Sequence, residues 1–294
     1  MENSFSRYFL DIIEYKQLTR KDVLRLFHLS GYDDISHVDS ITLSRWLNGK
    51  TTPNLYKQLI IVSCLGGSVL DFIKNLNIDE LKGNQNDENF YSSYVRKVDY
   101  AHNSINYIER SQERRTKIES LSSQEILKKF EFFHRNFSSY RSISDNLELS
   151  SLAEEGTLIS CFESEQIVGH IAYFECSKLK TKKVELSNVL FFTPIYYADS
   201  VVLREIMVEF FTRYLNQVVD RFCYAVGFTR SGKKLDFHHY FGGAENLEFF
   251  PPDEEDKISN TDKGLFLVKV DLLKYLSKKV ILKEVLEHIN KKKE

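Results

Sequence analysis

The densest set of residues able to do chemistry lies between Asp39 and Lys57, in the run DSITLSRWLNGKTTPNLYK. Ser40, Thr42, Ser44 and Arg45 look outward from a short apolar repeat in which Leu43, Trp46 and Leu47 can face a core. Ile41 lies in the same repeat, and Lys50, Thr52 and Asn54 follow just beyond it. Hydroxyls, an amide, a guanidinium and an ammonium at this spacing suit hydrogen bonding to anions and polar edges, not bond making. A second basic span, Thr229-Arg230-Ser231-Gly232-Lys233-Lys234, could meet a phosphate or lie in a solvated loop. His238 and His239 stand near Asp236, but adjacent side chains on a short helix point apart, so no metal site is expected. Cys64, Cys161, Cys176 and Cys223 make no C-x-x-C pair and read as buried thiols. P-loop, H-E-x-x-H, G-x-S-x-G and EF-hand patterns are absent.

The elements that would position these groups follow from periodicity and caps. Phe5 to Tyr15 reads as a helix with Phe5, Phe9, Ile12 and Ile13 on one face. Thr19 can cap a second helix, Arg20 to Leu29. Asp39 or Ser40 can cap the helix that carries Arg45, Gly49 can end it, and Pro53 suits the turn before Leu55 to Leu65. Ser68 can cap Val69 to Leu76. Lys82 to Glu88 is polar and reads as a linker. Residues 89–118 suggest helix with breaks, and Glu109 to Lys117 reads as a solvated charged face, with Arg110, Arg114 and Arg115 as possible phosphate contacts. Another helix starts near Ser122 and runs to about Phe137.

From Gly156 the texture turns to strands. Thr157 to Phe162 and Ile167 to Phe174 read as a hairpin, followed by Val184 to Phe192. Val201 to Val218 reads as an amphipathic helix. Phe222 to Phe228, Asn246 to Phe250 and Gly264 to Asp271 read as strands, Leu235 to Tyr240 as a short helix, and Leu272 to Lys293 as mostly helix. The length of 294 residues implies two domains, and 42% hydrophobic with 28% charged residues gives ample material for cores. A net charge of -2 argues against a protein that coats nucleic acid. No run reaches the apolar length needed to span a membrane, and the first residues lack a secretion signal, so a cytoplasmic location is expected.

Thr42-Leu43-Ser44-Arg45-Trp46-Leu47-Asn48-Gly49-Lys50, with Pro53 beyond, resembles the helix-turn-helix of the Cro/C1 (XRE) phage-repressor-like family. Leu18 to Val23 resembles the start of that family's second helix, and Leu59 to Gly66 its fourth. Ser30 to Asp39 is an insertion where the family has a tight turn. The resemblance implies double-stranded DNA as a partner. Ser40, Ile41, Thr42 and Arg45 would read bases, with Ser44 beside them, and Lys50, Thr52 and Asn54 would hold phosphates.

Gly156 to Ala172, Val189 to Pro194 and His238-His239-Tyr240-Phe241-Gly242 resemble strands and a closing motif of the GNAT acyltransferase fold. That resemblance implies acetyl-CoA or acyl-CoA on a glycine-rich loop before a helix. The corresponding loop here, Tyr196 to Val202, has no glycine and carries Asp199. By the resemblance, Glu185 would be the general base, His238 or Tyr240 the acid, and Tyr196, Tyr197 and Ser200 would line the ligand.

These readings add up to a two-domain chain. Residues 1–80 form an all-α helix-turn-helix domain, 81–122 connector helices, and 123–294 an α/β, GNAT-like, mixed-sheet domain with a C-terminal helix. The expected function is a homodimeric transcription regulator whose GNAT-like domain, with its catalysis decayed, senses a small molecule or acyl ligand or makes the dimer; no resident cofactor or metal is expected, with acetyl-CoA or acyl-CoA as the possible ligand. The alternatives are an active GNAT-type N-acyltransferase and a protein-binding module.

Overall fold

The computed structural model describes residues 4–81, 83–103, 113–135, 139, 152–181, 183–230, 232–254 and 263–292. The chain divides into two compact units. The first comprises Met1–Gly83, Arg213–Asp220 and Leu273–Glu294; the second comprises Asn84–Thr212 and Arg221–Leu272.

The first unit begins with six helices: α1 (Ser4–Tyr15), α2 (Arg20–Leu29), α3 (Asp33–Ser36), α4 (Ser40–Leu47), α5 (Leu55–Cys64) and α6 (Val69–Lys74). Their apolar positions recur at helical spacing, so Phe5, Phe9, Phe27, Leu43, Leu59 and Phe72 all reach one interior. The caps are local and polar. Thr19 and Asp22 form a reciprocal box, with Asp22 N–H donating to Thr19 Oγ1 at 3.2 Å and Thr19 N–H to the Asp22 carboxylate at 3.0 Å. Asp39 accepts from Thr42 N–H at 2.6 Å, Asn54 from Lys57 N–H at 2.9 Å, and Ser68 from Asp71 N–H at 3.1 Å. Ser6 Oγ donates to the Trp46 carbonyl at 2.8 Å and fixes α1 against α4. The Ser30–Asp39 insertion is not a bulge into solvent: it forms α3 and buries Ile35 completely.

The second unit is built on one sheet. It contains α7 (Gln85–Asn103), β1 (Arg114–Ser122), α8 (Ser123–Arg135), β2 (Glu155–Glu163), β3 (Gln166–Lys180), β4 (Glu185–Phe192) and β5 (Tyr196–Tyr197). Next come α9 (Ser200–Gln217), β6 (Tyr224–Arg230), α10 (Lys233–Gly242), β7 (Glu245–Phe250) and β8 (Leu265–Asp271). Beyond it, α11 (Leu272–Leu276) and α12 (Lys279–Lys291) complete the chain. The strand order is β1-β2-β3-β4-β6-β8-β7, with β5 pairing β3. Every described pair is antiparallel except β4 with β6. Parallel neighbours need a long crossover, and α9 supplies it.

Alternation of side chains decides which residues meet which helix. Phe174, Ala172, Phe191, Val226 and Leu267 share one cluster with Ile126 and Phe130 of α8. Tyr173 and Phe192 meet Phe210 of α9, with ring centres 5.3 and 5.0 Å apart. Gly169 of β3 lies under the first turn of α9, where a Cβ would overlap Val202. Only a residue without a side chain lets the helix start so close to the sheet.

Two sequence expectations change here. Arg114–Ser122 is not a charged helix face or connector but edge strand β1, paired with β2 from Arg114↔Glu163 to Ser122↔Glu155. Charged side chains along an exposed edge discourage further pairing, and they hide the period-2 signal. The grouping of residues also differs from the expected boundaries: α7 and β1 lie in the second unit, and residues 273–294 in the first. Arg110 lies outside the described residues.

Replacing Gly169 with Val should push the first turn of α9 off the sheet and cost about 1–3 kcal/mol. Urea unfolding of the variant checks this; unchanged stability would mean that α9 does not start where the close packing places it.

Candidate functional site

Ligands in sheets with parallel strands bind outside the carboxyl ends of those strands. Here the parallel pairing runs only from Val189↔Tyr224 to Phe192↔Gly227. Past that point the two strands separate. The β4 side stays with β3: Thr193 N–H donates to the Ala172 carbonyl at 3.0 Å, and Tyr196 and Tyr197 pair with His170 and Gly169. Phe192 faces Tyr173 while Tyr196 faces His170, so four steps on one strand meet three on the other. The extra residue is a β-bulge around Pro194. The β6 side instead follows β8 through Arg230↔Leu265. At the apex, a Cβ on Gly227 would sit 3.0 Å from Phe192 Cβ, so glycine permits the close approach before the fork opens.

Lys234, on the first turn of α10, reaches across the fork. Its Nζ donates to the Ile195 carbonyl in the bulge at 3.1 Å and lies 5.1 Å from the centre of the Tyr197 ring. Burial, with Arg230 nearby, lowers its pKa to about 8. One turn on, His238 is half-buried. Desolvation first, then the charges of Lys234 and His239, lower its pKa to about 3. The Tyr197 and Tyr94 hydroxyls share a 2.6 Å hydrogen bond. Burial raises the Tyr197 pKa, an effect opposed by the bond from Tyr94. The fork is therefore rimmed by a lysine able to change charge near neutral pH, a neutral imidazole and the protonated Tyr197 phenol, which is bonded to Tyr94.

The other rim is the N-terminus of α9, where a coenzyme pyrophosphate would be expected to rest on free backbone N–H groups. Two of those groups are already engaged. Ser200 donates its N–H to Asp99 Oδ1 at 2.9 Å and its hydroxyl to Asp99 Oδ2 at 2.8 Å. Val202 N–H donates to Asp199 Oδ1 at 2.8 Å, and Arg114 Nη2 donates to Asp199 Oδ2 at 3.1 Å. Two carboxylates and one guanidinium fill this end of the helix. Both carboxylates oppose the charge of a pyrophosphate at this terminus.

Of the residues expected from sequence to act together, Tyr197 lies on β5 beside the fork, Ser200 begins α9, and His238 lies one turn from Lys234. Glu185 lies away from them. It starts β4, seven residues before the apex at roughly 3.3 Å each, and pairs with Lys178 at 2.8 Å on the exposed surface. Its pKa is lowered by the bond and charge of Lys178, the reverse of a tuned base. Tyr240 turns away to donate to Asp87 at 2.8 Å and stacks on Phe90. Tyr196 is largely exposed, on β5. The basic span 229–234 is not a loop: Thr229 and Arg230 end β6, Lys233 and Lys234 begin α10, and Ser231 lies outside the described residues. Cys161 and Cys176 are buried as expected, whereas Cys64 and Cys223 are half-buried. Among the described residues no three His, Cys, Asp or Glu side chains are grouped as a metal would need. No described helix is long and apolar enough to cross a membrane.

Sequence reasoning named Lys234 only as a possible phosphate contact and missed Asp99 and Tyr94. The i, i+4 spacing of Lys234 and His238 was the available signal for the first. Asp99 and Tyr94 act across more than a hundred positions and left none.

The proposed DNA-reading set lies in the first unit. Ser40, Ile41 and Arg45 are exposed on α4, as are Lys50 and Thr52 beyond it; Thr42 and Ser44 are half-buried, and Asn54 is used as the cap of α5. The insertion changes what surrounds them. Asp33, Asp34 and His37 border a cleft of about 500 Å³ together with Thr42, Trp46 and Lys57. Asp34 lies 3.9 Å from Lys57. Two carboxylates beside the start of α4 oppose a phosphate backbone there.

No family model matches the chain, and no curated protein matches it. It is similar in structure to a CoA-dependent acyl-homoserine lactone synthase, BjaI, solved with SAM and isopentyl-CoA, at 11% identity and a TM-score of 0.37, over 58% of this chain and 90% of that one. It is similar to FeeM, an N-acyl amino acid synthase from uncultured soil microbes, at 11% identity and a TM-score of 0.35, over 58% and 98% of the two chains. A probable acetyltransferase from Staphylococcus epidermidis ATCC 12228 shows 14% identity and a TM-score of 0.32, over 54% and 99%. These findings correct the expectation of a DNA-binding transcription regulator of the XRE family: the similar proteins are acyl- and acetyl-transfer enzymes, the class of the alternative reading. The acidic insertion beside α4 gives a physical reason in the same direction.

His238 provides a pH test of this geometry. An unfolded His binds a proton near 6.5, whereas His238 in the fold binds one only near 3. The unfolded chain therefore holds more protons in that window, and stability falls as pH drops from 6.5 towards 3. His238→Asn should flatten this part of the stability profile in urea melts at stepped pH; an unchanged slope would place the ring in solvent.

Proposed function

We propose that this chain is an N-acyltransferase of the GNAT type, joining an acyl group from a thioester to an amine at the fork between β4 and β6. The observation that carries the reading is the fork itself. It is a parallel pair that opens beyond Phe192 and Gly227, with Lys234 reaching from α10 to the bulge carbonyl of Ile195. The order of hairpin, strand, crossover helix, strand, helix and closing strands supports the same reading.

The chemistry follows from the groups present. The amine nitrogen attacks the thioester carbonyl, the carbon–nitrogen bond forms, and the carbon–sulfur bond breaks to release a thiolate. The Lys234 ammonium, with a pKa of about 8, gives its proton to that thiolate. The neutral Lys234 then takes the proton shed by the new amide nitrogen, so the products are an amide and a thiol. A pKa close to working pH suits a group that must both give and take a proton. His238 at about 3 is too weak a base for that task and stays a neutral hydrogen-bonding partner. The aromatic walls, with Phe192 buried and Tyr197 half-buried, exclude water that would otherwise hydrolyse the thioester.

With acyl thioesters and a panel of primary amines, kcat/KM should fall above pH about 8 as Lys234 loses its proton. Lys234→Met should lower kcat by about 10² and remove that alkaline limb. A variant with wild-type turnover and an unchanged limb would exclude Lys234 from the proton path. Absence of acyl transfer from any thioester would exclude the reading.

A further inference from the structure

We infer that Tyr94 of α7 is a positioning residue for Lys234: it joins the two branches of the fork and holds the Tyr197 ring against the ammonium that reaches between them. The inference rests on the acyl-transfer reading and adds to it a group that acts through Lys234. Its basis is geometric. Tyr94 is buried and touches both branches. Its ring stacks on Phe237 of α10, with ring centres 4.3 Å apart, and its hydroxyl shares the 2.6 Å hydrogen bond with the Tyr197 hydroxyl on β5. Lys234 bridges the same two branches. It stands on α10 three residues before Phe237, donates to the Ile195 carbonyl at 3.1 Å and lies over the Tyr197 ring, 5.1 Å from its centre. Tyr197 therefore meets the ammonium at its face and Tyr94 at its hydroxyl.

The rest of α7 fixes where Tyr94 stands. Phe90 stacks on Tyr240 with ring centres 4.4 Å apart, and the Tyr240 hydroxyl donates to Asp87 Oδ1 at 2.8 Å. Tyr91 meets Phe241 edge-on at 6.1 Å. Residues 87, 90, 91 and 94 recur at helical spacing, so one face of α7 is laid along α10. A side chain on that face has a fixed origin, and its bond to the far end of the Tyr197 ring sets where that ring lies. A cation over an aromatic face is favoured over the neutral amine, because the face of the ring is negative. That attraction opposes the desolvation that lowers the Lys234 pKa. Burial keeps the Tyr197 phenol protonated, so the ring is a dipolar surface and not a counter-ion. The titratable groups nearest Lys234 are Arg230 on β6, His238 on α10 and Tyr197 itself. Beyond them, Lys233 and Asp236 of α10 lie near Lys97 and Arg96 of α7, and His239 lies near His238. Removing the Tyr94 hydroxyl changes none of these charges, so a shift at Lys234 reports the ring and not the charge balance.

Tyr94→Phe removes the bond and keeps the stack on Phe237. Trace labelling of the full chain with acetic anhydride at stepped pH, read by peptide mass spectrometry, follows the Lys234 titration without any turnover. The wild-type midpoint should lie at about 8. Tyr94→Phe should lower it by about half a pH unit. Tyr197→Phe cuts the same bond from its other end while keeping the ring, and should give the same shift; the double variant should shift no further than either single one. A midpoint left unchanged by either substitution would overturn the inference, even with a lower melting temperature, since the bond would then be structural only. Shifts that add in the double variant would overturn it too. With thioester and amine, the alkaline limb of kcat/KM should move down with the labelling midpoint; a limb that stays while the midpoint moves would sever Tyr94 from turnover. If no thioester reacts, the acyl-transfer reading fails, while the labelling still decides whether Tyr94 positions Lys234.

Discussion

Two parallel strands cannot be joined by a tight turn, and in this protein that constraint shapes everything around the candidate site. The single parallel contact, β4 with β6, needs a crossover, and α9 supplies it. A crossover helix must begin near the end of the first strand, so its N-terminus necessarily falls at the carboxyl ends of the pair. The bulge around Pro194 then carries the β4 side back to β3 while β6 follows β8, and the fork opens between them. Gly227 and Gly169 serve the same geometry from two sides, one at the apex and one under the helix start.

Charge decides what the fork can accept. The field of a helix N-terminus is positive and usually available to a ligand. Here Asp99 and Asp199 accept from Ser200 and Val202 N–H, so part of that field is used inside the chain. Burial has the opposite effect on Lys234: it weakens the ammonium until its proton becomes transferable near neutral pH. The same low-dielectric surroundings hold His238 neutral and Tyr197 protonated.

The sequence was most legible where structure is local. Thr19, Asp39, Asn54 and Ser68 all cap the helices that their spacing suggests, because a cap involves residues three apart. The β2–β3 hairpin and α9 were readable from alternation and helical period. Strand β1 was not, since its charged edge residues mask the alternation. The site was least legible. Its defining contact, Ser200 with Asp99, joins residues 101 positions apart, and the fork depends on a one-residue difference in register that no local pattern encodes. The resemblance of Thr42 to Lys50 to a DNA-reading helix failed for a related reason. The helix, its caps and its buried face are all present, but the insertion before it contributes two carboxylates that only the folded chain brings alongside.

The central claim is that the acyl donor lies in the fork, next to Lys234. The most direct measurement is a crystal structure of the chain with an unreactive thioether analogue of an acyl thioester. The account predicts the analogue between Thr193 and Phe228, with its sulfur beside Lys234 Nζ and Asp99 still bonded to Ser200. An analogue bound elsewhere, with the fork closed over by side chains, would contradict it.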